Sequence, residues 1–156
     1  MRKKVMFISS AGGHLEQLLA LKETMESYDY ILVTELNPST EKLKKNFNNV
    51  FFLPFFSRQK KWTYPLTFFF ICIKSFQILR KTSPDIIVTT GAGGVVPMCV
   101  FGKLMRSKII FIETFSRINT TTISGKICYH FADVFIIQWG SLKKHYPKGK
   151  YFGHIY

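Results

Sequence analysis

The chain has 156 residues, 47% of them hydrophobic, with 22 lysines and arginines against 9 aspartates and glutamates and a formal charge of +13. That length and apolar content exclude a disordered segment and suffice for one domain, 1–156, with a core of its own. The charge points to an anionic partner, whether nucleic acid, an acidic membrane surface or a phosphate-bearing substrate. Cys72, Cys99 and Cys128 are widely spaced and form no CxxC pair, so the simplest reading is reduced thiols with no metal or redox site. After Arg2-Lys3-Lys4 the apolar stretch runs for only about four residues, too short for a secretory signal.

Apolar runs alternate with helical stretches along the chain. Residues 5–9 read as a strand and 14–25 as a helix with the stripe Leu15, Leu18, Leu19 and Met25, which Lys22 interrupts. A second strand covers 30–34, and the polar turn Asn37-Pro38-Ser39-Thr40 leads to a short basic helix at 41–47. Residues 50–53 form a third strand, 54–61 a basic loop, and 62–81 a long apolar helix that tolerates Pro65 in its first turn. A fourth strand at 85–90 meets a tight loop, Gly91 to Gly94, before a helix at 95–105. A fifth strand at 108–113, a helix at 118–131 and a sixth strand at 134–138 follow, and the tail carries Gly140-Ser141-Leu142 and Pro147-Lys148-Gly149. This alternation predicts an α/β, Rossmann-like parallel sheet with helices on both faces; the strands are nearly all apolar, as both-sided cover requires.

In such a sheet ligands bind beyond the carboxyl ends of the strands, and the informative residues sit there. Ser9-Ser10-Ala11-Gly12-Gly13-His14 follows the first strand, Gly91-Ala92-Gly93-Gly94 the fourth, and Glu113-Thr114-Phe115-Ser116-Arg117 the fifth. Glycines at a helix start let an anion approach free backbone N–H groups and the positive end of the helix dipole. Histidine titrates near neutrality and suits deprotonation of a hydroxyl nucleophile. Each feature has a plain alternative: a tight turn, a capping histidine, an ordinary Glu113–Arg117 ion pair. Three clusters at three strand ends outweigh those singly. Neither GxGxxG nor GxxxxGK[ST] is present, which disfavours a dehydrogenase or P-loop enzyme.

SSAGGHLEQL, TTGAGGVVP and IETFSR together resemble the Alg14-like family of oligosaccharide biosynthesis proteins, whose bacterial members of the CpsF and PssD type serve capsule and exopolysaccharide synthesis. The chain is more distantly similar to the amino-terminal half of MurG-type transferases, with Ser9 to His14 in place of GGTGGH, Gly91 to Gly94 in place of GxGG, and Glu113 as the residue that carries over from HEQN. The resemblance implies the acceptor domain of a GT-B glycosyltransferase, split so that a separate subunit binds the nucleotide sugar. It implies sugar transfer, commonly β-1,4, from a UDP-sugar such as UDP-galactose, UDP-glucuronic acid or UDP-N-acetylglucosamine to a lipid-diphosphate-linked sugar, without cofactor or metal. On that reading His14 is the base and Glu113 holds sugar hydroxyls or orients a neighbour. Ser10, Gly12, Gly13, Gly91, Gly93, Gly94 and Arg117 bind the acceptor diphosphate, Arg117 through its planar donor fork. The alternative is a non-catalytic membrane adaptor that recruits a transferase.

Residues 57–81 hold six basic residues and no acid. Spanning a bilayer takes about 20 apolar residues, and Lys74, Ser75 and Gln77 interrupt this stretch too soon. It reads better as an interfacial helix, peripheral or monotopic at the cytoplasmic face of the membrane. Trp62 and Tyr64 would lie at headgroup level, Phe68, Phe69 and Phe70 in lipid, and Arg58, Lys60, Lys61, Arg80 and Lys81 against anionic headgroups. A buried crossover helix is the competing reading, and the two combine if one face packs on the sheet and the other meets lipid. No nucleic-acid-binding motif accompanies the charge. The aromatic, basic, acid-free tail from Trp139 to Tyr156 is expected at the subunit contact.

Overall fold

The computed structural model describes residues 2–55 and 64–155. Seven strands form one sheet: β1 (Lys4–Ser9), β2 (Asp29–Glu35), β3 (Val50–Leu53), β4 (Ile86–Gly91), β5 (Lys108–Ile112), β6 (Val134–Ile137) and β7 (Lys150–Tyr151). They lie in the order β3-β2-β1-β4-β5-β6-β7, and every pairing is parallel. Because strand side chains alternate, β1 feeds two cores: Val5 and Phe7 enter one, Met6 and Ile8 the other. This is why β1, β2 and β4 read as unbroken apolar runs.

Five helices cover the sheet: α1 (Gly13–Leu19), α2 (Lys22–Glu26), α3 (Tyr64–Thr82), α4 (Val96–Leu104) and α5 (Ile123–Tyr129). Leu18 of α1 and Met25 of α2 pack with Val5 and Phe7, joined by Leu43 and Phe47 around a 3-10 turn at Glu41–Lys45. α3, α4 and α5 pack on the opposite face through Ile71, Ile78, Leu79, Met98, Cys99 and Cys128. The chain therefore changes faces once, between β3 and β4, through α3. That crossing leaves β1 and β4 as neighbours whose helices diverge to opposite faces, and the crevice between them opens at their carboxyl ends.

Several boundaries differ from expectation. The helix expected over 14–25 breaks at Ala20 and Leu21 into α1 and α2, and the basic helix at 41–47 is only the 3-10 turn. The helix expected from residue 118 begins at Ile123, because Thr122 is extended (φ −86°, ψ 155°) and its hydroxyl accepts the Gly125 N–H, capping α5 there. β7 was not foreseen; Lys150 and Tyr151 pair with Ile136 and Ile137.

α3 has two apolar faces. Ile71, Ser75, Ile78, Leu79 and Thr82 face inward, and burial of each of the three aliphatic chains contributes about 1.5–3 kcal/mol. Leu66, Phe69, Phe70, Ile73 and Phe76 form a second stripe left exposed, with Phe68 half-buried. Among the described residues no helix is long and apolar enough to cross a membrane. Arg58, Lys60, Lys61 and Trp62 lie outside the described residues, and Tyr64 opens the helix.

Candidate functional site

A cleft of about 470 Å³ opens at the carboxyl ends of the central strands, lined by Ser10, His14, Glu35, Phe55, Gly93 and Arg117 among others. Its far wall is the start of α5, Thr121 to Ser124. Two backbone features lie in the turns at this end of the sheet. Gly12, ahead of α1, adopts φ 82°, ψ −145°, and Ala92, after β4, adopts φ 83°, ψ 162°. Both conformations belong essentially to glycine, so Ala92 holds about 1–3 kcal/mol of strain at a residue that lines the cleft.

His14 is tied to β4 twice. Its Nδ1 lies 2.9 Å from the Thr90 carbonyl oxygen, and the Thr90 hydroxyl donates to the His14 carbonyl at 2.8 Å. A carbonyl accepts only, so Nδ1 carries the proton, and in the neutral ring Nε2 keeps a lone pair. This is the tautomer a general base requires. Gly91 (φ 99°) turns the chain beside the ring in a conformation side chains rarely adopt, and a Cβ there would also crowd Phe111 at 3.2 Å.

The predicted site residues divide. Ser10, His14, Gly93 and Arg117 meet in the cleft. Gly12 and Gly13 sit exposed in the turn between Ala11 and His14, with open space where a Cβ would be. Gly91 and Gly94 are buried in the β4 turn and shape it from beneath. Arg117, exposed, is the one lysine or arginine among the described lining residues, and it donates from Nη1 to the Thr120 hydroxyl at 3.2 Å rather than pairing with Glu113.

Glu113, expected either to hold sugar hydroxyls or to orient a neighbour, is absent from the cleft lining and meets a residue of its wall, Thr122. Its carboxylate is fully buried behind the α5 wall. It accepts from the Thr114 N–H at 3.0 Å, the Thr122 hydroxyl at 2.9 Å and the Tyr146 hydroxyl at 2.8 Å. Gly125 makes room for it, since a Cβ there would collide with Glu113 Oε2. Burial, then the adjoining Glu113 charge, push the Tyr146 phenol well above its usual range. Glu113 thus fixes Thr122 and with it the far wall of the cleft.

Glu35 was missed. It ends β2, is almost fully buried, lines the cleft, and accepts the Ala11 N–H at 3.4 Å. In dinucleotide-binding Rossmann domains a carboxylate about twenty residues beyond the glycine turn holds a ribose hydroxyl, and the similar spacing here was the available signal.

The sheet order and the cleft at its crossover define a Rossmann-like domain. The fold matches MurG from Acinetobacter baumannii with a TM-score of 0.70 at 14% identity, covering 89% of this chain and 42% of that one. A UDP-N-acetylglucosamine 2-epimerase from Rickettsia bellii matches with a TM-score of 0.72 at 19% identity, over 95% and 42% of the two chains. The chain spans less than half of either neighbour, and the likeness is one of fold. The chain belongs to the family described as oligosaccharide biosynthesis protein Alg14 like, whose model matches residues 5–155. It is 27% identical over 177 residues to the UDP-N-acetylglucosamine transferase subunit ALG14 of Homo sapiens, covering 97% of this chain and 82% of that protein. The Schizosaccharomyces pombe subunit of the same name is 26% identical over 176 residues, covering 99% and 84%.

Proposed function

We propose that this chain is the acceptor-binding, membrane-associating subunit of a two-component glycosyltransferase. A separate subunit binds the nucleotide sugar, and the sugar passes to a lipid-diphosphate-linked acceptor. The observation that carries the reading is His14, held in the cleft with Nδ1 bonded to Thr90 and Nε2 left to accept a proton. In an inverting transfer this nitrogen takes the proton of the acceptor hydroxyl as that oxygen attacks the anomeric carbon and UDP leaves. Arg117 neutralises the acceptor diphosphate, and the turns around Ser10, Gly12, Gly13, Gly91, Gly93 and Gly94 bring backbone close to it. Glu113 acts as a positioning residue through Thr122. The chemistry asks for no cofactor or metal.

The relatives' names, transferase subunit and UDP-N-acetylglucosamine, favour UDP-N-acetylglucosamine over galactose or glucuronic acid as donor. The capsule and exopolysaccharide setting implied by the resemblance to the CpsF and PssD type has no support among them. Two features support the partners. The outer side of α3, with Leu66 and Phe69 exposed and Lys74, Arg80 and Lys81 nearby, suits the cytoplasmic face of an anionic membrane. The tail packs Trp139, His154 and Phe115 together at the carboxyl end of the sheet, while Phe152 stays 71% exposed, free for a second subunit.

The test is transfer from a panel of UDP-sugars to membrane lipid-diphosphate acceptor by this chain, by the partner, and by the mixture. Activity is expected in the mixture, with His14→Ala lowering turnover roughly a hundredfold or more. Full activity of the partner alone would reduce this chain to an adaptor. Near-normal turnover of His14→Ala in the complex would remove its role as base.

A further inference from the structure

We infer that the hollow between the exit of β3 and the outer side of α3 seats the hydrocarbon tail of the acceptor lipid, an inference that rests on the acceptor reading of the cleft. The chain leaves β3 through two residues that face different cavities. Phe55 lines the cleft, while Pro54 lines a hollow of about 430 Å³ with Thr67, Phe70, Ile73, Lys74 and Gln77. A second hollow of about 520 Å³ shares Pro54 and Lys74 and continues past Leu36 and Phe52. An apolar trough thus begins beside the wall of the proposed diphosphate site and runs down α3. Its size falls within the range of small-molecule sites, about 300–1,000 Å³.

The chemistry of the trough selects its occupant. Phe70 and Ile73 remain 52% and 40% exposed although they face a concave surface rather than the open crest of α3. No acid lines either hollow among the described residues, and lysines stand at the rim: Lys74 between the two, Lys44 over the Phe52 ring at 5.2 Å. An apolar trough edged by cations and opening beside an anion site fits a hydrocarbon chain joined to a diphosphate. A flat bilayer would instead meet Leu66 and Phe69, which project from the helix outside the trough.

The experiment is calorimetric titration of the full chain with inorganic diphosphate and with farnesyl diphosphate kept below its micelle concentration. The probes share the anionic head and differ in the chain. Each buried methylene favours binding by about 0.8 kcal/mol, so farnesyl diphosphate should bind at least about tenfold tighter. Phe70→Ser with Ile73→Ser, both on the surface, should erase that difference and leave inorganic diphosphate affinity unchanged. Equal affinity for the two probes in the unaltered chain would overturn the trough while leaving the cleft intact. So would a tenfold difference that survives the substitutions. Binding of neither probe would overturn the cleft reading itself. If the double variant keeps the farnesyl preference but no longer floats with anionic phosphatidylglycerol vesicles, these side chains serve the bilayer and the trough assignment fails.

Discussion

Replacing Tyr146 by phenylalanine separates scaffold from chemistry at Glu113. The phenol donates to Glu113 Oε2 at 2.8 Å, and both side chains are buried, Tyr146 at 1% exposure and Glu113 at 0%. Removing the hydroxyl leaves the ring packed on Phe135 and Tyr129 but takes one donor from a carboxylate that water cannot reach. A hydrogen bond to a buried charge contributes about 1.5–3 kcal/mol. For a domain of this size each kcal/mol moves Tm by about 2–4 °C, so thermal unfolding should shift down by about 3–12 °C. The pH dependence gives a second readout. The folded phenol titrates above its ordinary value of 10.0, so the unfolded chain loses this proton first. Stability is then undiminished below pH 10 and falls as pH rises through the interval up to the folded value; the Tyr146→Phe variant lacks that component. A Tm change under about 1 °C together with a hundredfold fall in turnover would refute the reasoning, because it would place Glu113 and Tyr146 in the reaction rather than behind the wall.

Two further substitutions test the cleft. Ala92→Gly relieves a backbone conformation that alanine rarely adopts, and after the entropy glycine adds to the unfolded chain it should still raise stability by about 1 kcal/mol, read as a higher Tm; a lower Tm would deny the strain. Glu35→Gln keeps the shape but removes the charge of a buried acceptor in the cleft, and should raise KM for the lipid-linked acceptor by roughly tenfold with kcat little changed, a loss of about 1.4 kcal/mol. An unchanged KM would place Glu35 in the scaffold.

The sheet was legible because its strands carry the pattern of two-sided burial, and β1 shows why: its residues enter two cores in alternation, so no polar position interrupts the run. The glycine turns were legible because positive φ at Gly12 and Gly91 restricts residue choice. The α5 boundary was not. Ile123 and Ile127 keep a helical spacing of four, but just ahead of them Thr122 turns its hydroxyl to Glu113 and to the Gly125 N–H. That competition is tertiary, and nothing within 118–131 records the carboxylate it answers to. The burial of Glu113 went unread for the same reason. A carboxylate at a strand end reads alike whether it faces a cleft or a buried cap, and only the placement of Tyr146 and Gly125 decides.

α3 is the one element whose sequence supported two readings, and both faces explain why. An ordinary crossover helix carries one apolar stripe and a polar reverse. Here Ile71, Ile78 and Leu79 fill the core while Leu66, Phe69, Phe70, Ile73 and Phe76 remain outside it. Folding accounts for the first stripe alone; the second leaves apolar surface in water, which a stable monomer has no reason to keep. Because α3 is also the segment through which the chain changes faces, its start lies at the carboxyl end of the sheet, the end that carries the cleft. One crossover therefore brings an apolar surface and an anion-suited cleft to the same edge of the molecule. An acceptor with a hydrocarbon tail and a phosphate head needs that adjacency.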